Sequence, residues 1–223
     1  MIRTAVVTIM IAASTAAAQF PTAPPPVVRE PSNEAEFRVS GFMITGDRAL
    51  EFANNVSTTT GSIRGADLLL RASGAGISLR VLSGEFGRQP HITSADARVY
   101  LLPKEFSIFI GAARRALWSD LNPDAPATFD VGMGGISSTL NIGASGIRTN
   151  LTAAYYFPAG PSKERVKDGM EGEASVMYVF PVVPFFVQAG YRTEVFTQVD
   201  GTRFTPEIIR GVRFGGGLQL GGR

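Results

Sequence analysis

The 223-residue chain contains no cysteine, so it can hold neither a disulfide nor a thiolate metal centre. Histidine occurs once, as His91, which removes the clustered imidazoles of a transition-metal site. Positive and negative charges nearly cancel, at a net +2, and no basic stripe or polybasic run appears. That argues against a nucleic-acid partner. After the first twenty residues no apolar run approaches the roughly 18–20 residues of a spanning helix. In SDLNPD, Asp120, Asn122 and Asp124 have the spacing of oxygen ligands, but the glycine and distal glutamate of a calcium loop are missing, so the segment reads as a turn. No cofactor and no metal is expected. With no cross-link available, burial and backbone pairing must hold the fold.

What is present begins with MIRTAVVTIMIAASTAAAQF. Arg3 and the amino terminus supply a positive start, Thr4 to Ala13 an apolar core, and Ala16-Ala17-Ala18 a small-residue cleavage site. Residues 1–18 therefore read as a signal peptide cut before Gln19. Without a cysteine at that site, a lipid anchor there is excluded. The next stretch, FPTAPPPVVREPSNEAE, is Pro-rich and aperiodic, and residues 19–35 are expected to be a disordered linker. Residues 36–223 remain for one domain.

That domain alternates with period two, which is strand periodicity. In ADLLLRASGAGISLRVLSG, Ala66, Leu68 and Leu70 share a face while Asp67 and Arg71 share the other. Beyond the Ser73-Gly74-Ala75-Gly76 turn, Ile77, Leu79 and Val81 alternate with Ser78 and Arg80. Pairing Ala72 with Ile77 joins the two apolar faces in one hairpin. Similar hairpins turn at Pro103-Lys104, pairing Leu101 with Phe106, at Gly143–Gly146, pairing Ile142 with Ile147, and at Pro181–Pro184, pairing Phe180 with Phe185. A bulge at Gly134-Gly135 would put Val131, Met133, Ile136, Leu140 and Ile142 on one face.

Ten segments result: 36–46, 61–72, 76–86, 95–102, 105–118, 128–142, 146–157, 171–180, 184–197 and 206–220. The first, EFRVSGFMITG, has the weakest pattern, and eight strands is the fallback. The even number returns the chain to its starting side. Alternation alone does not say which face is inside; three further features do. Most segments run about 9 to 14 residues, the length that crosses a bilayer when tilted. Tight turns at one end face longer polar stretches at the other, near 47–60, 87–94, 119–128, 158–170 and 197–206. Aromatics stand near strand ends: Phe86, Trp118, Phe129, Tyr155, Phe157 and Phe196 towards the long connections, Phe106, Phe180 and Phe185 beside the turns. Two interfacial girdles would look like this.

The expected fold is therefore all-β: a single up-and-down antiparallel transmembrane barrel of about ten strands. Its lumen should carry Asp67, Arg71, Arg80, Asp96, Arg98, Arg115, Asp130, Arg148, Glu173, Arg192, Glu194 and Arg213. Its lipid-facing side should carry Leu68, Leu70, Ile77, Leu79, Val81, Val99, Leu101, Phe106, Ile108, Ile110, Phe180, Phe185, Val187, Val212, Phe214, Leu218 and Leu220.

This pattern, with its GGGLQLGGR ending, resembles the small bacterial outer-membrane β-barrel proteins from about Glu36 to Leu220. The chain departs from that family in ending Gly221-Gly222-Arg223 where an aromatic terminus is usual. The resemblance implies a Gram-negative outer-membrane location after signal-peptide cleavage. It implies as partners outer-membrane lipid and lipopolysaccharide, with the assembly machinery during biogenesis. Three functions stay open: a structural or surface-interaction barrel with an ion-paired lumen, a narrow porin-like channel, and a secreted soluble barrel holding an apolar ligand. Catalysis is not expected. Some barrels of this kind are hydrolases with a histidine at the outer rim, and His91 stands near Thr93, Ser94 and Asp96, but closeness in sequence does not assemble a triad.

Overall fold

A computed structural model describes residues 35–52, 55–72, 74–87, 91–119, 122–143, 145–200 and 203–222. The expected signal peptide and nearly all of the linker lie outside these residues. Ten antiparallel strands follow in order: β1 Glu36–Phe52, β2 Asn55–Ala72, β3 Ala75–Phe86, β4 His91–Leu101, β5 Ser107–Ser119, β6 Asn122–Ile142, β7 Ile147–Pro158, β8 Val166–Val179, β9 Phe185–Asp200 and β10 Arg203–Gly221. A short 3₁₀ turn, Gly160–Glu164, joins β7 to β8. Each strand pairs with its sequence neighbours, and β1 pairs with β10 from Glu36↔Gly221 to Leu50↔Glu207, so the sheet is a closed up-and-down barrel. Closure leaves no strand edge unpaired and needs no covalent staple.

Rows running across the ladder fix the two faces. Leu68 pairs with Leu79, Leu79 with Ala97, Ala97 with Ala112 and Ala112 with Gly132, and this row faces outward. The adjacent row, Asp67, Arg80, Asp96, Ala113 and Val131, faces the lumen. Outward apolar side chains are exposed, Ile110 by 65% and Val81 by 55%, while Arg98 inside is 1% exposed. A water-soluble barrel has the opposite polarity, an apolar interior and a polar exterior. The outward apolar face runs from Ala75 to Val81 on β3, from Phe106 to Ala112 at β5 and from Leu220 back to Val212 on β10. Ser83, Arg114 and Arg210 end it. At ~3.3 Å per residue and ~40° of tilt these spans stand roughly 15–20 Å tall, and Ile147 to Phe157 on β7 about 25 Å. An outer-membrane barrel carries an apolar band of about 25 Å.

Two of the expected turn registers are found: Ile142 pairs with Ile147, and the Phe180 amide donates to the Phe185 carbonyl at 3.0 Å. The other two are displaced by two residues, to Ala72↔Ala75 and Leu101↔Ile108. A shift of two leaves every side chain on its expected face, whereas a shift of one would invert the strand.

Three expectations need correction. No bulge occurs at Gly134-Gly135; β6 pairs without interruption from Ser137 through Ala127. Val131 and Met133 therefore point inward, each 1% exposed, and Asp130 points outward, where it pairs with Arg114. The long polar connections are mostly strand: β1 and β2 stay paired out to Phe52↔Asn55, and β9 and β10 out to Asp200↔Arg203. Segments rich in Thr and Ser, such as NVSTTTGS, have the β-propensity to continue the ladder beyond the apolar band. Finally, Phe86, Phe129 and Phe196 are buried inside the barrel and form no girdle. Tyr155, Phe157, Phe106, Phe180 and Phe185 do face outward, and the Trp118 side chain lies outside the described ones.

Candidate functional site

The lumen is the one concave region that the fold builds from all ten strands, and it is layered. Across its middle lies a network of five arginines and five carboxylates, so its formal charge is zero. Glu171 on β8 is the hub. Its carboxylate accepts from Arg98 Nη2 at 2.9 Å, Arg80 Nη1 at 3.2 Å, Arg192 Nη2 at 3.4 Å and the Tyr156 hydroxyl. Asp67 accepts from Arg80 Nε at 2.7 Å and from Arg213, whose Nη1 also donates to Glu173 at 2.6 Å. Arg98 Nε donates to Asp96 at 2.8 Å, and Arg115 Nη2 to Glu194 at 3.3 Å. The donors and acceptors stand on β2–β5 and β7–β10, so the network braces opposite walls. A buried carboxylate met by three guanidiniums and a hydroxyl is satisfied; any one of these groups alone there would be costly.

Towards the end opposite the tight turns, hereafter the loop end, apolar side chains fill the lumen. Phe42, Ile44, Ile63, Leu82, Phe86, Ile92 and Ile209 pack on the β10–β4 side. Phe109, Phe129, Val131, Met133, Tyr156, Val166 and Phe196 pack on the β5–β9 side. Rings lie directly over glycines of adjacent strands: a Cβ on Gly65 would sit 2.4 Å from the Phe42 ring, and one on Gly169 2.7 Å from Phe196. Arginines of the network stack on the underside of this plug, Arg213 at 4.0 Å from the Phe42 centroid and Arg115 at 4.6 Å from Phe196. Still nearer the loop end, Arg48 Nε donates to Glu207 at 2.6 Å and Gln198 to the same carboxylate at 2.7 Å.

At the turn end the lumen contains a polar cavity of about 70 Å³. Arg38, Arg71, Asn150 and Glu36 are on its wall. Arg148 is beside it, with Nη1 4.0 Å from Glu36 and Nη2 donating to the Gly222 carbonyl at 2.7 Å. Lys104, in the β4–β5 turn, donates to the same carbonyl at 3.2 Å. Strand β10 is across the barrel from β5 and β7, so these bonds draw the chain over the turn-end mouth. Gly221 and Gly222 make that bend at φ of 71° and 65°.

Eleven of the twelve charged residues expected in the lumen are there, and Asp130 is outside for the reason given above. All of the expected lipid-facing residues face outward. Sequence reasoning missed Glu171, although it opens the expected strand 171–180 and shares parity with Glu173; β8 in fact begins earlier, at Val166. It also missed the plug. Phe86 has the parity of Arg80, and Phe196 that of Arg192 and Glu194, so alternation already pointed both rings inward.

His91 belongs to a different constellation from the expected one. Its Nε2 is 3.1 Å from Ser83 Oγ and its Nδ1 3.4 Å from Glu85, all on the outer surface beyond the apolar band. Asp96 faces the lumen and does not take part. The order serine, imidazole, carboxylate is that of a hydrolase triad. However, the Glu85 side chain is 68% exposed, and among the described residues the β3–β4 amides around it are committed to the ladder. Among the described residues no group of acidic or histidine side chains is arranged to hold a metal ion.

No protein-family model and no curated protein matches the chain. Among solved structures it is similar to the translocator domain of autotransporter NalP from Neisseria meningitidis, with 10% identity over 99% of this chain and 97% of that one and a TM-score of 0.35. It is also similar to the β domain of the Bordetella autotransporter Brka, with 10% identity over 84% of this chain and 99% of that one and a TM-score of 0.33.

Proposed function

We propose that this protein is an integral barrel of the bacterial outer membrane with a closed lumen, serving a structural or surface-interaction role. The observation that carries the reading is the inverted polarity of a closed barrel, apolar towards its surroundings and ion-paired within. Such a surface is unfavourable in water and favourable in lipid. The long hairpins β1–β2 and β9–β10 then stand beyond the bilayer and offer polar strand to lipopolysaccharide or a partner. A secreted barrel with an apolar ligand fits poorly, because the apolar interior is already filled by its own rings. Catalysis is no part of the proposal; in the Ser83–His91–Glu85 group the Glu85 carboxylate is 68% exposed and poorly placed to orient the imidazole.

The channel reading fits less well because the network and plug occupy the lumen. Both readings are tested on one preparation. The full chain is produced in a Gram-negative host, outer membranes are isolated, and boiled and unboiled samples are compared on a denaturing gel. The expected result is a heat-dependent mobility shift in the outer-membrane fraction and no conductance step in planar bilayers. Phe129→Ala with Phe196→Ala should remove two rings of the plug and raise conductance above the silent parent. Soluble periplasmic protein without a heat shift would overturn the membrane reading, and steady conductance by the parent would overturn the closed lumen.

A further inference from the structure

We infer that the turn-end cavity is a binding site for one small oxyanion, of the size and charge of inorganic phosphate, held by Arg38, Arg71 and Asn150. The first ground is charge. The mid-lumen network is neutral and Arg48 is matched by Glu207, whereas the turn end sets Arg38, Arg71, Arg148 and Lys104 against Glu36 and Glu105, four positive groups against two. Glu36 is engaged by Arg148, and the two other carboxylates on the cavity wall, Asp67 and Glu173, are held by Arg80 and Arg213. Among the described residues neither Arg38 nor Arg71 has a carboxylate within 4 Å; Arg38 meets the Met177 sulfur at 3.8 Å and the Phe186 ring, and Arg71 donates to the Ser107 hydroxyl at 2.6 Å.

The second ground is geometry. Arg71 pairs across the ladder with Glu36, and Arg38 with Leu69, so the two arginines are inward diagonal neighbours on β1 and β2. Diagonal positions of this kind are about 7–8 Å apart, near enough for two cations to repel and for one anion to bridge them. Arg71 is braced by its tyrosine neighbour, with its guanidinium carbon 5.0 Å from the Tyr100 centroid.

The third ground is an orphaned donor from the opposite wall. Asn150 accepts from Thr139 Oγ1 at 2.9 Å through its carbonyl, which leaves its Nδ2 buried without a partner, as is Arg71 Nε. Buried donors without acceptors are rare and call for a ligand or ordered solvent; Arg115, Arg192 and Arg213 also keep such nitrogens, but within the neutral network, where no surplus charge accompanies them. An oxyanion supplies acceptors to both and neutralises the excess charge, as planar guanidiniums do best with phosphate or carboxylate. The cavity admits a small anion and not a lipid headgroup with its chains.

The test uses the full-length barrel folded in nonionic detergent, freed of chloride and titrated calorimetrically with inorganic phosphate. Saturable binding at one phosphate per chain is expected. Arg38→Gln with Arg71→Gln should weaken it at least tenfold. Should that double variant fail to fold, Asn150→Asp decides: a carboxylate on the cavity wall replaces the anion, so phosphate binding should fall at least tenfold while the unfolding temperature rises. No saturable binding by the parent, or parent-like affinity in the variant that folds, overturns the inference. The heat-shift and conductance assays do not depend on this cavity, so the closed-lumen reading and the anion site fail separately.

Discussion

The loop end and the turn end of one lumen solve the problem of filling a barrel by different chemistry. At the loop end, Phe86, Phe129, Phe196 and their aliphatic neighbours exclude water and need no polar partners. At the turn end, Arg38, Arg71 and Asn150 surround a space that remains open, and Arg71 and Asn150 carry donors that remain unmet. Between them the network rooted on Glu171 is closed in both senses, filled and neutral. A region that is apolar or charge-neutral seals the lumen, and a region that is polar with surplus charge keeps a place for something else.

The largest effect should come from cutting the middle that separates these ends. Glu171→Ala leaves Arg80, Arg98 and Arg192 short of a shared acceptor and the Tyr156 hydroxyl without one. Breaking a buried charge cluster by removing one member costs about 3–5 kcal/mol. The expected outcome is a markedly lower temperature for the loss of the fast-migrating gel form. An unchanged transition temperature would show that the network is ornament and that the plug alone holds the walls.

The contrast between inside and outside can be sharpened on β6. Because the chain has no native cysteine, single cysteines report without background. Asp130→Cys should react with a water-soluble maleimide more than ten times faster than Val131→Cys, which sits in the plug. Equal rates would restore a bulge in this strand.

That strand also marks the limit of what could be read in advance. Strand number, barrel closure and the facing of most segments were legible because the side-chain period is two, and even errors of register, as at Leu101↔Ile108, do not change a face. The sequence around Gly134-Gly135 was misleading for a physical reason. Glycine has no side chain to favour either face, and Val131 and Met133 are apolar although they point inward, because they belong to the plug. Polarity identifies the lumen only where the lumen is polar. The spatial grouping around Glu171 was not legible, since its arginine partners are 21 to 91 residues away in the chain and meet only once the barrel closes.

A smaller effect is expected where the chain bends over the turn end. Gly221 has a positive φ, and a Cβ there would be 1.9 Å from the Ala35 carbonyl oxygen. Gly221→Ala should cost ~1–2 kcal/mol through the left-handed backbone alone, with the Lys104 and Arg148 contacts to Gly222 loosened. Thermal unfolding of the variant in detergent measures this, and a parent-like midpoint would mean that the chain end does not brace the mouth.

The smallest effect comes from the neighbour of a residue that matters. Arg114 and Arg115 are adjacent on β5 and point opposite ways. Arg115 is 2% exposed, lies over Phe196 and donates to Glu194. Arg114 meets Asp130 in a two-bond pair, at 2.7 and 2.9 Å, yet both side chains stand in the solvent-facing zone beyond the apolar band. Short distances are no guide to stability there, because water and salt already satisfy both charges when they part. Arg114→Ala should leave the unfolding temperature where it is, and Arg115→Ala should lower it. A loss with Arg114→Ala as large as that with Arg115→Ala would mean that the outer pair is shielded from water, and the apolar band would then have to extend past it.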